Sequence, residues 1–209
     1  MRGLAANPVT GEIFVLTSGT TDTLPEGSGI TVYPRLANGN TAPIRTITGK
    51  FDNSNSIAFT PPASVSINAG GTAATNFTAD SNYTGGGVVT WADTVDTSAL
   101  IGIVPAQSVL RSDREGNFTY KFTGFAPSSY HAVTVYFVEN YFTAPGKRIF
   151  TVYANGAPLA DDLDVFAEAR ARFKAIQRTM IVPATGNGEI FIQQLPTKDQ
   201  SKIGAIVIN

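Results

Sequence analysis

Apolar and polar residues alternate over short runs separated by Gly, Pro, Asn and Ser, the period-two pattern of strands that bury one face. Runs of this kind occupy Glu12 to Thr17, Gly29 to Tyr33, Pro43 to Ile47, Ser64 to Asn68, Asn117 to Phe122, His131 to Glu139, Arg148 to Tyr153, Glu189 to Gln194 and Ile203 to Ile208. In the His131 run, Val133, Val135 and Phe137 fall on one face and Thr134 and Tyr136 on the other, which predicts a half-buried strand of a sandwich. Asn155-Gly156 and Asn187-Gly188 are hairpin-type turn signals beside the neighbouring strands. Only Ala167 to Ile176 stays ambiguous, its spacing fitting a helical turn, an exposed strand or a loop.

The pattern divides the chain. Asp52-Asn53-Ser54-Asn55-Ser56 and then Thr60-Pro61-Pro62 read as a linker, because paired prolines disfavour helix and cannot donate to a central ladder. Residues 1–62 are therefore expected to form a β-strand appendage and residues 63–209 a β-sandwich. The Asn7-Pro8-Val9-Thr10-Gly11 turn and the Val32-Tyr33-Pro34 unit make Leu4 to Gly49 resemble one blade of a β-propeller. A lone blade cannot bury its apolar face, so these strands are expected to dock on the rest of the chain or on another copy of it.

Composition sharpens this picture. With 20 Gly, 12 Pro and only 15% charged residues, the chain favours short strands and turns and very little helix. The net charge is −1 and the 15 basic residues are scattered, so no stretch would neutralise a run of phosphates, and nucleic acid is not an expected partner. No apolar stretch approaches the length of a membrane span, and the residues after Met1 lack the order of a signal peptide. The absence of cysteine excludes thiol nucleophiles, thiolate metal sites and disulfides. The Thr, Ser, Asn and Gly content fits a secreted or extracellular β protein.

From Val65 to Asn209 several short motifs follow one another in a distinctive order: Ile67-Asn68-Ala69-Gly70-Gly71, Ser81-Asn82-Tyr83, Arg114-Glu115-Gly116-Asn117-Phe118, Tyr136 to Phe142, Phe150 to Gly156, Asp164-Val165-Phe166-Ala167 and Lys198 to Ile203. Their order and spacing resemble the malectin family, a jelly-roll module related to galactose-binding-like domains. That resemblance implies an all-β, antiparallel sandwich that binds glucose-type oligosaccharides through aromatic side chains and an aspartate. Carried over motif by motif, the binding positions are Tyr83, Tyr141, Phe142 and Asp199, and Glu115 stands where the family has a further aromatic. This exchange removes a stacking surface and adds a charge.

Elementary chemistry supports the same set. A sugar offers an apolar C–H face to aromatic rings and a hydroxyl rim to a carboxylate. Tyr141 and Phe142, adjacent in sequence, cannot both enter one core if the chain there is extended, so one is expected to be exposed or at a strand end. Each position also has a plainer reading: Tyr83 as an ordinary loop residue, Tyr141 and Phe142 as plugs of the sandwich rim, and Asp199 as a loop carboxylate solvated or paired with Lys198 or Lys202.

Other candidates are weaker. Asp161-Asp162, Asp164 and Glu168 lack the ligand order of a calcium loop and read as a solvated acidic loop. The lone His131 shares the register of Val133 and Val135, which disfavours it as a solvent-facing base. No catalytic residue, metal or cofactor is expected. The leading expectation is thus a non-catalytic carbohydrate-binding module for an oligosaccharide or polysaccharide. The alternative is a structural or assembly subunit that self-associates through its N-terminal strands.

Overall fold

The computed structural model describes residues 3–6, 12–17, 29–48 and 64–209. The chain divides into two compact units, Met1–Pro61 and Pro62–Asn209. The Asn7–Gly11 turn and the linker residues from Asp52 to Pro62 lie outside the described residues.

In the first unit, β1 (Gly3–Ala6), β2 (Ile13–Thr17), β3 (Gly29–Tyr33) and β4 (Arg45–Thr48) form an antiparallel sheet in chain order. Among the described residues its buried apolar side chains are Phe14, Leu16 and Val32. Glu12 ties the outer strand to the centre, accepting two hydrogen bonds from Arg45 at 2.7 and 3.0 Å.

The second unit is an antiparallel β-sandwich. One sheet holds β5 (Val65–Asn68), β8 (Tyr130–Val138), β11 (Ala175–Pro183) and β14 (Ala205–Ile208), in the order β11-β8-β14-β5. The other holds β6 (Tyr83–Thr90), β7 (Ser112–Phe122), β9 (Ile149–Ala154), β10 (Ala157–Leu163), β12 (Ile190–Lys198) and β13 (Lys202–Ile203). Its order is β10-β9-β12-β7-β13, with β6 also paired to β7. Phe118, Tyr120, Phe122, Val133, Val135, Phe137, Phe150, Ile190, Ile192 and Ile206 fill the core. The helices among the described residues are two short ones, α1 (Gln107–Leu110) and α2 (Val165–Ala169). The second starts where it does because the Asp164 side chain accepts the Ala167 N–H at 2.9 Å, an N-cap.

Several elements differ from the pattern-based expectation, each for a physical reason. β8 is buried on both faces: Tyr136 and Val138 pack with Phe77, Val95, Leu100, Val109 and Leu110, a second apolar cluster supplied by the segment before β7. The polar run Ser112-Asp113-Arg114-Glu115 is the first half of β7, and its charges are tolerated inside because each meets a partner. The glycine run is strand β6, not loop. At Gly85, with φ of 82°, a Cβ would lie 2.6 Å from the Asn117 carbonyl oxygen, so glycine is what allows β6 to approach β7.

Asn155-Gly156 makes the hairpin between β9 and β10, both residues having positive φ. Asn187-Gly188 instead turns a corner between the sheets, since β11 and β12 do not pair. The final run is likewise two strands: β13 pairs with β7, and after Gly204 the chain crosses to pair β14 with β5 and β8. Asp161 and Asp162 are exposed on edge strand β10 at an irregular register, and the ambiguous Ala167 to Ile176 segment spans the end of α2 and the start of β11.

Candidate functional site

Five segments meet at one end of the sandwich. The end of β6 brings Val89, Thr90 and Trp91; β7 brings Glu115; the chain after β8 brings Asn140, Tyr141 and Phe142; and Arg148, Asp199 and Gln200 come from the approaches to β9 and β13. Together they line an open cleft of about 500 Å³.

The cleft is held by buried charges. Glu139, 1% exposed, accepts the backbone N–H groups of Tyr141 and Phe142 on Oε1 at 2.9 and 3.0 Å, and the Arg148 Nε–H on Oε2 at 2.9 Å. This carboxylate curls the chain just past β8, so the two aromatic side chains stand edge to face with centroids 5.0 Å apart and line the same cleft. Tyr141 is 72% exposed, while Phe142 lies half-buried beneath the Arg148 guanidinium at 5.3 Å. Arg148 continues to the Gln200 carbonyl at 2.7 Å and to Asp199 at 3.1 Å, with Glu115 further off at 3.8 Å. Ser201 and Gly116 exchange two hydrogen bonds, which fix the Asp199 loop against β7.

Lys202 lies opposite Glu115 in the β13–β7 register and is fully buried. Its ammonium reaches Asp113 at 2.5 Å, Asn140 at 2.6 Å and Glu115 at 3.1 Å, which accounts for its three donors. It also sits 5.4 Å from the Trp91 ring centroid. Burial pushes the Asp113 carboxyl up to about 7, against the pull of Lys202, which favours the carboxylate. Among the described residues, one oxygen each of Glu115 and Asp199 has no protein partner, and the buried Trp91 indole N–H is unpaired.

The structure thus brings together Tyr141, Phe142, Asp199 and Glu115. Of the first two, one is exposed beyond a strand end, as adjacency requires, but both reach one cleft because the chain is curled rather than extended. Asp199 pairs with Arg148 instead of Lys198 or Lys202, and Lys198 bonds the Gly146 carbonyl at 2.5 Å.

Tyr83 lies elsewhere. It is on β6 and lines a neighbouring concavity of about 370 Å³ with Gly70, Gly71, Asp80, Arg111 and Arg114. The Arg114 guanidinium stacks 3.3 Å above its ring, and Tyr120 meets its edge at 6.2 Å. Arg114 gives two hydrogen bonds to Asp80, at 2.6 and 2.8 Å, and another to the Gly85 carbonyl at 2.9 Å. Asp80 also accepts from the Tyr120 hydroxyl and the Gly70 N–H, each at 2.7 Å. Burial, then the hydrogen bond to Asp80, pushes the Tyr120 hydroxyl far above its ordinary range.

Trp91, Arg148 and Lys202 were not singled out from the sequence. Two signals point to them in hindsight: Trp91 is the one tryptophan of the chain, and Lys202 interrupts a run that is otherwise apolar or small, where a lysine demands buried acidic partners. His131 is buried, 2.6 Å from the Ser129 hydroxyl, and takes no part in the cleft. Among the described residues no cluster of His, Asp and Glu is arranged to hold a metal, and no helix is long and apolar enough to cross a membrane.

Solved structures share this fold. The ANX2 ectodomain from Arabidopsis thaliana superposes with a TM-score of 0.62 at 12% identity, over 69% of this chain and 48% of that one. The complex of the plant peptide RALF23 with FER and LLG2 gives 0.59 at 16% identity, over 86% and 56%. The β-glucuronidase of Bacteroides uniformis gives 0.58 at 14% identity, over 87% and 22%. The chain therefore spans about half the length of the plant ectodomain chain it matches. No curated protein matches it. The malectin domain model matches residues 63–206, from just before β5 into β14, and the chain accordingly belongs to the malectin domain family.

Proposed function

We propose that the second unit is a non-catalytic carbohydrate-binding module of an exported protein, with its site in the cleft between Trp91, Tyr141 and Asp199. The observation that carries this reading is the exposed Tyr141 ring in one cleft with carboxylate oxygens that no group among the described residues satisfies. An aromatic face takes the apolar side of a pyranose ring, and the free acceptors take its hydroxyls. Catalysis fits less well. Asp113, the carboxyl lifted to about 7, is fully buried and cannot reach a glycosidic oxygen as a general acid must.

Family membership supports a ligand-binding role, and glucose-type oligosaccharides are the expected class. The RALF23 complex makes a peptide the main competing ligand. Calorimetric titration of the intact chain with glucose-, galactose- and xylose-based oligosaccharides, repeated with Tyr141→Ala, tests the reading. Loss of at least about tenfold in affinity, equivalent to ~1.4 kcal/mol, with an unchanged melting curve is the expected result. An unaltered affinity in Tyr141→Ala would move the site, and no binding to any sugar would sink it.

A second role concerns the first unit. Among the described residues, β1 and β4 each have one strand edge unpaired, and β1 carries only Gly, Leu and Ala. Such an edge is suited to pairing with another copy. The intact chain should then run larger than its mass in light scattering, and a chain starting near Ala63 should run as a monomer. Two concentration-independent monomers would remove this role.

A further inference from the structure

We infer that the cleft selects amino sugars carrying a free ammonium over neutral sugars, and neutral sugars over acidic ones. This rests on the carbohydrate reading above and specifies its ligand class.

The reason is the distribution of charge between the floor and the mouth of the cleft. Among the described residues two cations stand there against four carboxyl groups, Asp113, Glu115, Glu139 and Asp199, of which Asp113 is pushed toward its protonated form by burial. Both cations are below the surface: the Lys202 side chain is 0% exposed and that of Arg148 5%. The three donors of Lys202 are engaged, and Arg148 is engaged by Glu139, Asp199 and the Gln200 carbonyl. The Arg148 Nη2 group has no hydrogen bond among the described residues, its nearest carboxylate oxygen being that of Glu115 at 3.8 Å, but it belongs to a side chain that is only 5% exposed, so neither cation is presented at the mouth of the cleft.

The carboxylates are distributed the other way. Asp199 is 38% exposed and Glu115 14%, each with one oxygen that no protein group satisfies among the described residues. A ligand therefore meets unpaired anionic acceptors, and the donor that best fits them is an ammonium. The open Tyr141 ring adds a π face that attracts the same charge. A hexosamine ring satisfies both features together, since its ammonium sits one bond from a pyranose ring whose C–H face can lie on the aromatic. A uronic acid would set its carboxylate against Glu115 and Asp199, while both cations lie below the surface and are already paired with protein carboxylates. Glu115 then gains a functional sense: where the family resemblance expects a ring, this chain places a charge.

The test titrates the intact chain with four probes at a pH where the amine is protonated. They are a fully deacetylated β-1,4-glucosamine tetramer, its N-acetylated form, cellotetraose and a glucuronic acid tetramer. Cellotetraose has the same linkage and ring faces with hydroxyl in place of ammonium. The glucosamine tetramer should bind about tenfold more tightly than cellotetraose, and its affinity should fall with added salt while that of cellotetraose holds.

Asp199→Asn should weaken the glucosamine tetramer about fivefold and leave cellotetraose within about twofold, because the half-exposed carboxylate contributes a screened attraction. Glu115→Gln, which keeps an acceptor for Lys202, guards against a failure of either variant to fold. Equal or tighter binding of cellotetraose, tightest binding of the glucuronic acid tetramer, or an ammonium preference that survives both substitutions overturns the inference and leaves a sugar site standing. Silence from all four probes overturns the sugar site and the inference together.

Discussion

The two concavities flanking β6 carry the same type of exposed aromatic residue in opposite circumstances. Tyr83 is sandwiched by Arg114, and Arg114 is fastened to Asp80, which is itself engaged by Tyr120 and Gly70. The buried polar groups around that ring, Asp80, Arg114 and the Tyr120 hydroxyl, have partners within the protein. Tyr141 meets Phe142 edge to face and shares its cleft with Glu115 and Asp199, carboxylates with acceptor capacity remaining among the described residues. A ring with satisfied neighbours is a structural part, and a ring beside unsatisfied ones is available to a ligand. Residue type does not distinguish the two; the count of unengaged donors and acceptors around each ring does.

The largest expected effect falls on the Tyr83 side. The Asp80 side chain is 7% exposed and that of Arg114 4%, so Asp80→Ala strands a buried guanidinium and leaves the Tyr120 hydroxyl without its acceptor. Chemical denaturation should register a loss of about 3–5 kcal/mol, the usual consequence of removing one partner of a buried ion pair. The protein that remains folded should bind sugar as before. A loss under about 1 kcal/mol would mean that the Asp80 network is not what fixes this concavity.

The cleft side should respond to pH instead. Asp113 has its carboxyl raised from 3.8 to about 7 in the folded state, so the fold favours the protonated form. Its contribution to stability is complete below the unfolded value and is lost as pH rises through the folded one. Thermal or urea unfolding should show stability falling between about pH 4 and 7, by at most about 4 kcal/mol from this group. Asp113→Asn, whose amide oxygen can still accept from Lys202, should flatten that slope. A slope that persists in the variant would assign it to another group.

The same contrast decides what the sequence could reveal. β8 declares itself because Val133, Val135 and Phe137 alternate strictly, yet the burial of Tyr136 depends on Phe77, Val109 and Leu110, which lie far away along the chain. The first half of β7 is hidden because Asp113, Arg114 and Glu115 read as surface until strand pairing brings in Lys202 and the loops bring in Asp80 and Arg148. β6 is hidden for another reason: its glycines serve a close approach to β7 that no local pattern encodes. Motif order singled out Tyr141, Phe142, Asp199 and Glu115, which the fold brings to one cleft. Trp91, Arg148 and Lys202 were not, because their roles exist only in the register that sets β13 against β7 and in the curl imposed by Glu139.

The smallest expected effect is the sharpest test of the comparison. Tyr83→Ala removes a ring that stacks on Arg114 and meets Tyr120 edge-on, contacts worth about 1–2 kcal/mol of stability in total at a half-exposed position. Sugar affinity should stay within about twofold, against the tenfold or greater loss expected for Tyr141→Ala. Thr90 makes this outcome informative, because it lines both concavities and leaves a single strand between them. An oligosaccharide long enough to cross β6 would bring Tyr83 and Tyr141 into one extended surface. In that case Tyr83→Ala would weaken tetramers but leave disaccharides unaffected, and the boundary drawn here at β6 would have to be given up for longer ligands.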